Sequence, residues 1–396
     1  MEKRIYLDHA ATTAVDERAL NKMLPYFSEV YGNANSQHFF GREAAEAVDW
    51  ARDTIAHIIG ALPGEIYFTS GGTESDNWAL RGVAYANKSK GNHIITTKIE
   101  HDAMLTTCHQ LEKEGFRVTY LDVDKDGVVD LEQLKNSICD QTILISCMYA
   151  NNEIGSILPI AEIGAVCRKH HVLFHTDAVQ AVGHIPISVK NDNIDMLSLS
   201  AHKFHGPKGI GVLYAKKGVR LTSLIAGGAQ ERGKRAGTEN IPAILGMAAA
   251  LQDACDHMEE NTRHCLELRE RLIAGLSKIP HSVLNGDREH RLPSNVHFCF
   301  EGIEGESLLL LLDQKGICAS SGSACTSGSL DPSHVLLAID RPHEIAHGSL
   351  RLSLGEENTM AEVDYMLQAI PEVVAYLRHM SPVWRDLESG KKSFLL

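Results

Sequence analysis

The chain has 396 residues, 44% apolar and 22% charged, with a formal net charge of −13. This length exceeds one simple core, and the composition is that of an ordinary globular protein, which excludes a disordered or fibrous chain. The acidic balance argues against a nucleic-acid partner, whose phosphates need clustered Lys and Arg.

No run of about 18 apolar residues suggests a membrane span, and the charged start "MEKRIYLDHA" reads as neither a secretory signal nor an anchor. The nine cysteines include no CxxC pair, which suits free thiols in a reducing compartment. A cytoplasmic protein without membrane contact is expected.

The first clear element is "AAEAVDWARDTIAHII". It puts Ala44, Val48, Ile55 and Ile59 on one helical face and stops at Gly60. Strands are predicted at "EIYFTS", "HIITT", "VTYLDV", "TILISC", "VLFHT", "DMLSLS" and "IGVLY", most of them separated by helical stretches such as 106–114 and 160–171. That alternation predicts an α/β fold with a mostly parallel seven-stranded sheet covered on both faces. A long helical region follows near 241–279. Then "NVHFCF", "GICAS" and "GSLRLSL" read as three strands accompanied by helices near 305–315 and 359–378, a smaller α+β domain. The expected division is a large domain over 1–260, with segment 1–20 packing on its neighbour, and a small C-terminal domain over 261–396.

Ligands of open parallel sheets sit beyond the carboxyl ends of the strands. In this chain those ends deliver Thr73, His101, Asn152, Asp177 with Gln180, and His202 with Lys203. In "SGGTES" the glycines precede a helix, whose free N–H groups suit an anion; the alternative is a cap formed by Ser70 or Thr73. Asp177 suits the protonated ring nitrogen of a cofactor, or a plain helix cap. His101 suits stacking and proton shuttling, or a plain loop position.

Lys203 carries the most weight. A free lysine, with a pKa near 10.4, is neutral in only about one molecule in 2,500 at pH 7, and lowering that pKa by about 3 units takes roughly 4 kcal/mol. Burial at a strand end, with Lys208 and the histidines 202 and 205 nearby as further cations, is expected to supply it and make Lys203 an imine-forming amine.

"CASSGSACTSGSLDPSH", 318–334, is the other informative stretch. Small residues surround Cys325 between Gly322 and Gly328, a composition that favours a mobile loop and a thiol able to travel, although an idle exposed cysteine has the same look. Cys318 reads as a strand residue, and Cys147 and Cys299 as core residues. Two motifs point elsewhere. "HEIAH", 343–347, matches a zinc hydrolase pattern, but Pro342 and Gly348 leave little room for its helix. "DVDKDGVVDLEQ" mimics a calcium loop but ends in Gln133 where a bidentate Glu belongs. No bound metal is expected.

Together "SAHKFHGPKG", "HTDAVQ", "IEHDAML", "ANNEIG" and "RAGTEN" resemble the pyridoxal-phosphate cysteine desulfurases of the NifS and IscS type, within the class V aminotransferases. The resemblance runs from "IYLDHAATT" to "SLRLSLGEENT". "GNANS" and "GGTES" stand where the family commonly has "GNPSS" and "GATES". The resemblance implies fold type I of the pyridoxal-phosphate transferases, a homodimer and conversion of L-cysteine to L-alanine. In that reading Lys203 bonds the cofactor, Asp177 meets its ring nitrogen, His101 stacks on the ring and Gln180 contacts its phenolic oxygen. Gly72, Thr73, Ser200 and His202 hold its phosphate, and Thr238 reaches across from a second subunit. Asn152 borders both cofactor and substrate; with Arg351 it holds the substrate carboxylate, near Asn33.

Cys325 is implied to take the sulfur as a persulfide for a sulfur-acceptor or iron–sulfur scaffold protein, with which it could transiently share a cluster. A selenocysteine lyase-like activity and a non-catalytic assembly scaffold are the other readings the resemblance leaves.

Overall fold

Twelve short strands organise the computed structural model, which describes residues 4–322 and 332–396. In chain order they are β1 (Ile5–Tyr6), β2 (Ile66–Thr69), β3 (His93–Thr97), β4 (Arg117–Leu121), β5 (Thr142–Ser146), β6 (Leu173–Asp177), β7 (Met196–Ser200), β8 (Gly211–Ala215), β9 (Ser282–Leu284), β10 (Asn295–Phe300), β11 (Ile317–Cys318) and β12 (Ser349–Ser353). Seven of them, ordered β2-β8-β7-β6-β5-β3-β4, form the main sheet. These are the seven runs the sequence marks. β8 runs antiparallel to β7 and β2, and the remaining pairings are parallel. Every residue of β3, β5, β7 and β8 is buried, as strands covered on both faces require.

The helix Phe39–Ile59 buries Ala44, Val48, Ile55 and Ile59 and closes on Gly60 at φ +75°, a left-handed conformation that costs glycine little. It begins before the periodic run, where the His38 ring accepts the Gly41 N–H. The helical region after residue 240 is two helices, Ile241–Asp256 and Met258–Leu276, which meet at a non-helical His257.

A second core gathers Leu268, Leu272, Val296, Phe298, Leu350 and Met366, together with Ile5 and Leu7 from the start of the chain. Its sheet has the order β12-β10-β9. Here the structure corrects the expectation for "GICAS". That stretch gives β11, which pairs with β1 in a separate parallel ladder; the third strand is the half-buried β9, too short to show an alternating pattern. Leu7 N–H bonds the Cys318 carbonyl and Leu7 O accepts Ser353 N–H, so residues 5–7 lie along this second core before the chain crosses to the main sheet.

Candidate active site

The carboxyl ends of β2, β5, β6 and β7, together with the residues after β3, open onto one cavity of about 320 Å³. Gly72, Thr73, His101, Asn152, Asp177, Gln180, Ser200, His202, Lys203 and Arg351 all line it, joined by Ala10, Ala11 and Asp76. Asn33 and Thr238 are exposed and do not line it; their loops are tied together by Asn35 Nδ2, which bonds the Glu239 carboxylate at 3.0 and 3.1 Å. Cys325 lies outside the described residues.

Lys203 ends a single 3₁₀ turn after β7, and its Nζ donates to the carbonyls of Ala10 (2.6 Å) and Ala11 (2.9 Å). Its neighbours differ from expectation. Burial, with the charges of Lys203 and Lys208, pushes His202 down to about 4, so its ring is neutral and meets Thr12 Oγ1. Burial also disfavours charge on His205, yet Glu356, 3.1 Å away, holds its pKa above the ordinary histidine value. One of the expected cations is thus uncharged and another is paired with its own carboxylate.

The helix Gly72–Asn87 starts at Gly71 without a side-chain cap bond, which overturns the reading of Ser70 or Thr73 as cap. Glu74 accepts the Ser70 N–H and is paired with Arg235. Gly72 and Thr73 of the first turn line the cavity beside Ser200, an arrangement that suits an anion at a helix start. A Cβ on Gly72 would lie 2.8 Å from Val179 Cγ2, so that side chain would have to shift to admit one.

At the other end, the Asp177 carboxyl accepts the Val179 N–H; burial raises its pKa while His101, that N–H and Lys203 work against the rise. Sequence reasoning missed Asp76, which is 1% exposed and pushed well up by burial and by Asp177. Its Oδ1 has no hydrogen-bond partner among the described residues, although His175 Nε2 lies 3.8 Å away. Burial pushes His175 down to about 3, so that ring is a neutral bridge between Ser146 and Ser198. Asp76 stands one helical turn after Gly72, and this spacing was the available signal.

His101 caps the helix Asp102–Lys113: its Nδ1 accepts the Ala103 N–H, so the neutral ring carries its proton on Nε2. Arg351, 2% exposed, gives one guanidinium nitrogen to Asp8 at 3.0 Å and another to the Asn152 carbonyl at 3.1 Å. Its Nε has no partner among the described residues.

The HEIAH stretch folds as a four-residue helix, His343–Ala346, with His343 and Glu344 exposed. Gln133 hydrogen-bonds Asp122 through both its amide oxygen and nitrogen, which closes the calcium-like turn. No group of three metal-ligating side chains occurs among the described residues.

The family model for "Aminotransferase class-V" matches residues 5–366, and the chain belongs to that family. Within it, the chain is 55% identical over 395 residues to the cysteine desulfurase IscS of Clostridium botulinum, covering 99% of this chain and 100% of that one. A solved "NIFS-LIKE PROTEIN" superposes with a TM-score of 0.89 at 42% identity, covering 94% of this chain and all of the other. A structure described as "SspA in complex with cysteine" has a TM-score of 0.80 at 36% identity, covering 89% and 99% of the two chains.

The family's cofactor is pyridoxal phosphate, and the cavity fits it. The uncapped helix start and Ser200 suit a phosphate, the buried Asp177 carboxyl suits a ring nitrogen, and Lys203 suits an aldehyde.

Glu100 lies beneath this cavity, and burial raises it from 4.5 to about 8. The folded protein therefore keeps a proton that the unfolded chain releases above about pH 4.5. The stability tied to that proton is complete below about pH 4.5 and lost as the pH rises to about 8. Glu100→Gln is expected to gain stability over the wild type across that window, by at most about 5 kcal/mol. Urea unfolding of both proteins at pH 5 and pH 8.5 checks this, and an equal difference at the two pH values would contradict it.

Proposed function

We propose that the chain is a cysteine desulfurase, in which L-cysteine and the Cys325 thiol give L-alanine and a Cys325 persulfide. The observation that supports this best is the convergence of Lys203, Asp177, His101 and an uncapped helix start on one cavity, which Arg351 also borders. Pyridoxal phosphate, when bound, supplies an electron sink conjugated to the substrate's amino group.

The chain's own residues do the rest. Lys203 would hold the cofactor's aldehyde carbon, and its amine, when free, would take the proton from the substrate Cα. Asp177, whose charged form His101, Lys203 and the Val179 N–H favour, faces the ring nitrogen, while burial and Asp177 itself disfavour charge on Asp76. Gly72, Thr73, Ser200 and His202 hold the phosphate, and Gln180 reaches the phenolic oxygen. His101 donates from Nε2, because the Ala103 N–H occupies its other nitrogen. Arg351, which lines the cavity, binds the substrate carboxylate while Asp8 and the Asn152 carbonyl fix its plane; Asn33, exposed and outside the cavity lining, would come to that carboxylate from its own loop. Cys325 attacks the substrate sulfur, the Cβ–S bond breaks, and the sulfur passes on to an acceptor protein serving iron–sulfur cluster assembly.

The same reading makes the protein a cytoplasmic homodimer. The described cysteines are free, as a reducing compartment keeps them. Phe27, Tyr31 and Phe39 are 61%, 67% and 65% exposed, and Phe40 packs against both Tyr31 and Phe39, an exposed apolar group that suits an interface. Thr238, exposed and away from its own cavity, suits a contact with the partner's cofactor. We place the domain boundary near residue 260, just before the second core takes in Cys265 and Leu268.

Cys325→Ala is expected to lower alanine release from L-cysteine by about 100-fold or more while leaving the cofactor's visible absorbance intact. Full turnover in that variant would remove the thiol from the reaction. Phe39→Asp is expected to shift the sedimentation of the holoenzyme from dimer toward monomer; an unchanged dimer would place the interface elsewhere.

A further inference from the structure

Glu153 follows Asn152 in the turn after β5 and is 5% exposed. Its backbone is held on both sides, since its N–H bonds Asn151 Oδ1 and its carbonyl accepts Asn295 Nδ2 at 2.9 Å. Its carboxyl faces two residues that are adjacent in space but distant in sequence. The Ser333 hydroxyl donates to Glu153 Oε2. Gly322 lies so close that a Cβ on it would come 2.5 Å from the same oxygen and 3.1 Å from Ser333 Cβ. One residue beyond Ser333, His334 Nε2 meets the Glu100 carbonyl at 2.9 Å, so this end of the segment is tied at two points, to Glu153 and to the residue before His101. In sequence, Gly322 and Ser333 flank the stretch that contains Cys325.

We propose that Glu153 is a positioning residue for the sulfur-accepting thiol. Its carboxyl bonds Ser333 and abuts Gly322, and so brings both ends of the Cys325 segment against the turn that carries Asn152. The inference rests on the desulfurase reading and deepens it, because it assigns a residue that decides where the thiol's segment is attached relative to the substrate-carboxylate groups. Any side chain at position 322 would meet the carboxyl, which explains the glycine there.

The clasp has a chemical setting. Burial raises Glu153 to about 7, against the hydroxyl of Ser333 and the charge of Arg351. Above that pH the bond from Ser333 is charge-assisted, and such bonds are roughly twice as strong as neutral ones. The groups facing Glu153 are Arg351 from β12, His101 and Asp102 from the start of the Asp102–Lys113 helix, and Cys299 from β10. Burial keeps the Cys299 thiol neutral by pushing it up to about 12. Glu153→Gln removes only the titration of Glu153, so the ratio of variant to wild type at each pH isolates it from the other groups and from the thiol's own ionisation.

The test uses the holoenzyme of the wild type, Glu153→Gln, Ser333→Ala and the double variant, from pH 6 to pH 9. Two rates are followed, alanine release at saturating L-cysteine and iodoacetamide alkylation of Cys325 read by peptide mapping. The expected variant-to-wild-type ratio for turnover is within about twofold of one at pH 6 and near a tenth at pH 8, with a midpoint near pH 7. Alkylation of Cys325 is expected to speed up about fivefold at pH 8, with the cofactor's absorbance unchanged. The double variant should lose no more than either single one, because both act through one bond.

A ratio that does not vary with pH, or losses in the two single variants that simply add, would overturn the clasp. A wild type that releases no alanine would instead overturn the desulfurase reading. If Glu153→Gln fails to fold, Ser333→Ala carries the same comparison from the other end of the bond.

Discussion

The structure depends on how residues 8–13 are held between two cores. Ile5 and Leu7 are buried in the second core, and from there the chain crosses directly onto the edge of the main sheet. The Ala10 carbonyl accepts both Lys203 Nζ and Gln180 Nε2, the Ala11 carbonyl accepts Lys203 again, and Thr13 bonds the His202 carbonyl through its N–H and its hydroxyl. On the other side the Ala10 N–H bonds Ser353 Oγ, and Asp8 is paired with Arg351. This one segment joins the Lys203 amine to the Arg351 guanidinium across the cavity.

The second constraint is electrostatic. Asp76, Glu100, Glu153 and Asp177 are all buried, and each has its pKa raised, first of all by burial. The nearby His175 and His202 are held neutral, so they provide no counter-charge. Of the four acids, Asp177 is the one that His101, Lys203 and a backbone N–H all favour as the charged form. A site that needs one negative charge at one place is served by burial that disfavours charge on the neighbouring Asp76 and Glu100, the pattern by which paired acids divide their roles.

Much of this was legible in the sequence. The strands of the main sheet were readable because each is a short, mostly apolar or β-branched run bounded by turn residues, and the polar residues after β2, β3, β5, β6 and β7 marked the cavity. β9 was not readable, because three half-buried residues carry no periodicity. "GICAS" was seen as a strand but given the wrong partner, since its parallel partner β1 lies more than 300 residues away in sequence. Asp76 and Glu153 escaped because each stands beside a more conspicuous residue, and only the folded chain shows that a carboxyl there is buried. The charge states of His202 and His205 were likewise invisible, because burial and the position of Glu356 decide them.

The central claim is that the amine at the carboxyl end of β7 is the covalent anchor of the cofactor. Borohydride reduction of the purified holoenzyme, followed by proteolysis and mass mapping, tests it most directly. A single pyridoxyl modification on the peptide that contains Lys203 is the predicted result. A modification at another lysine, or none, would contradict the account.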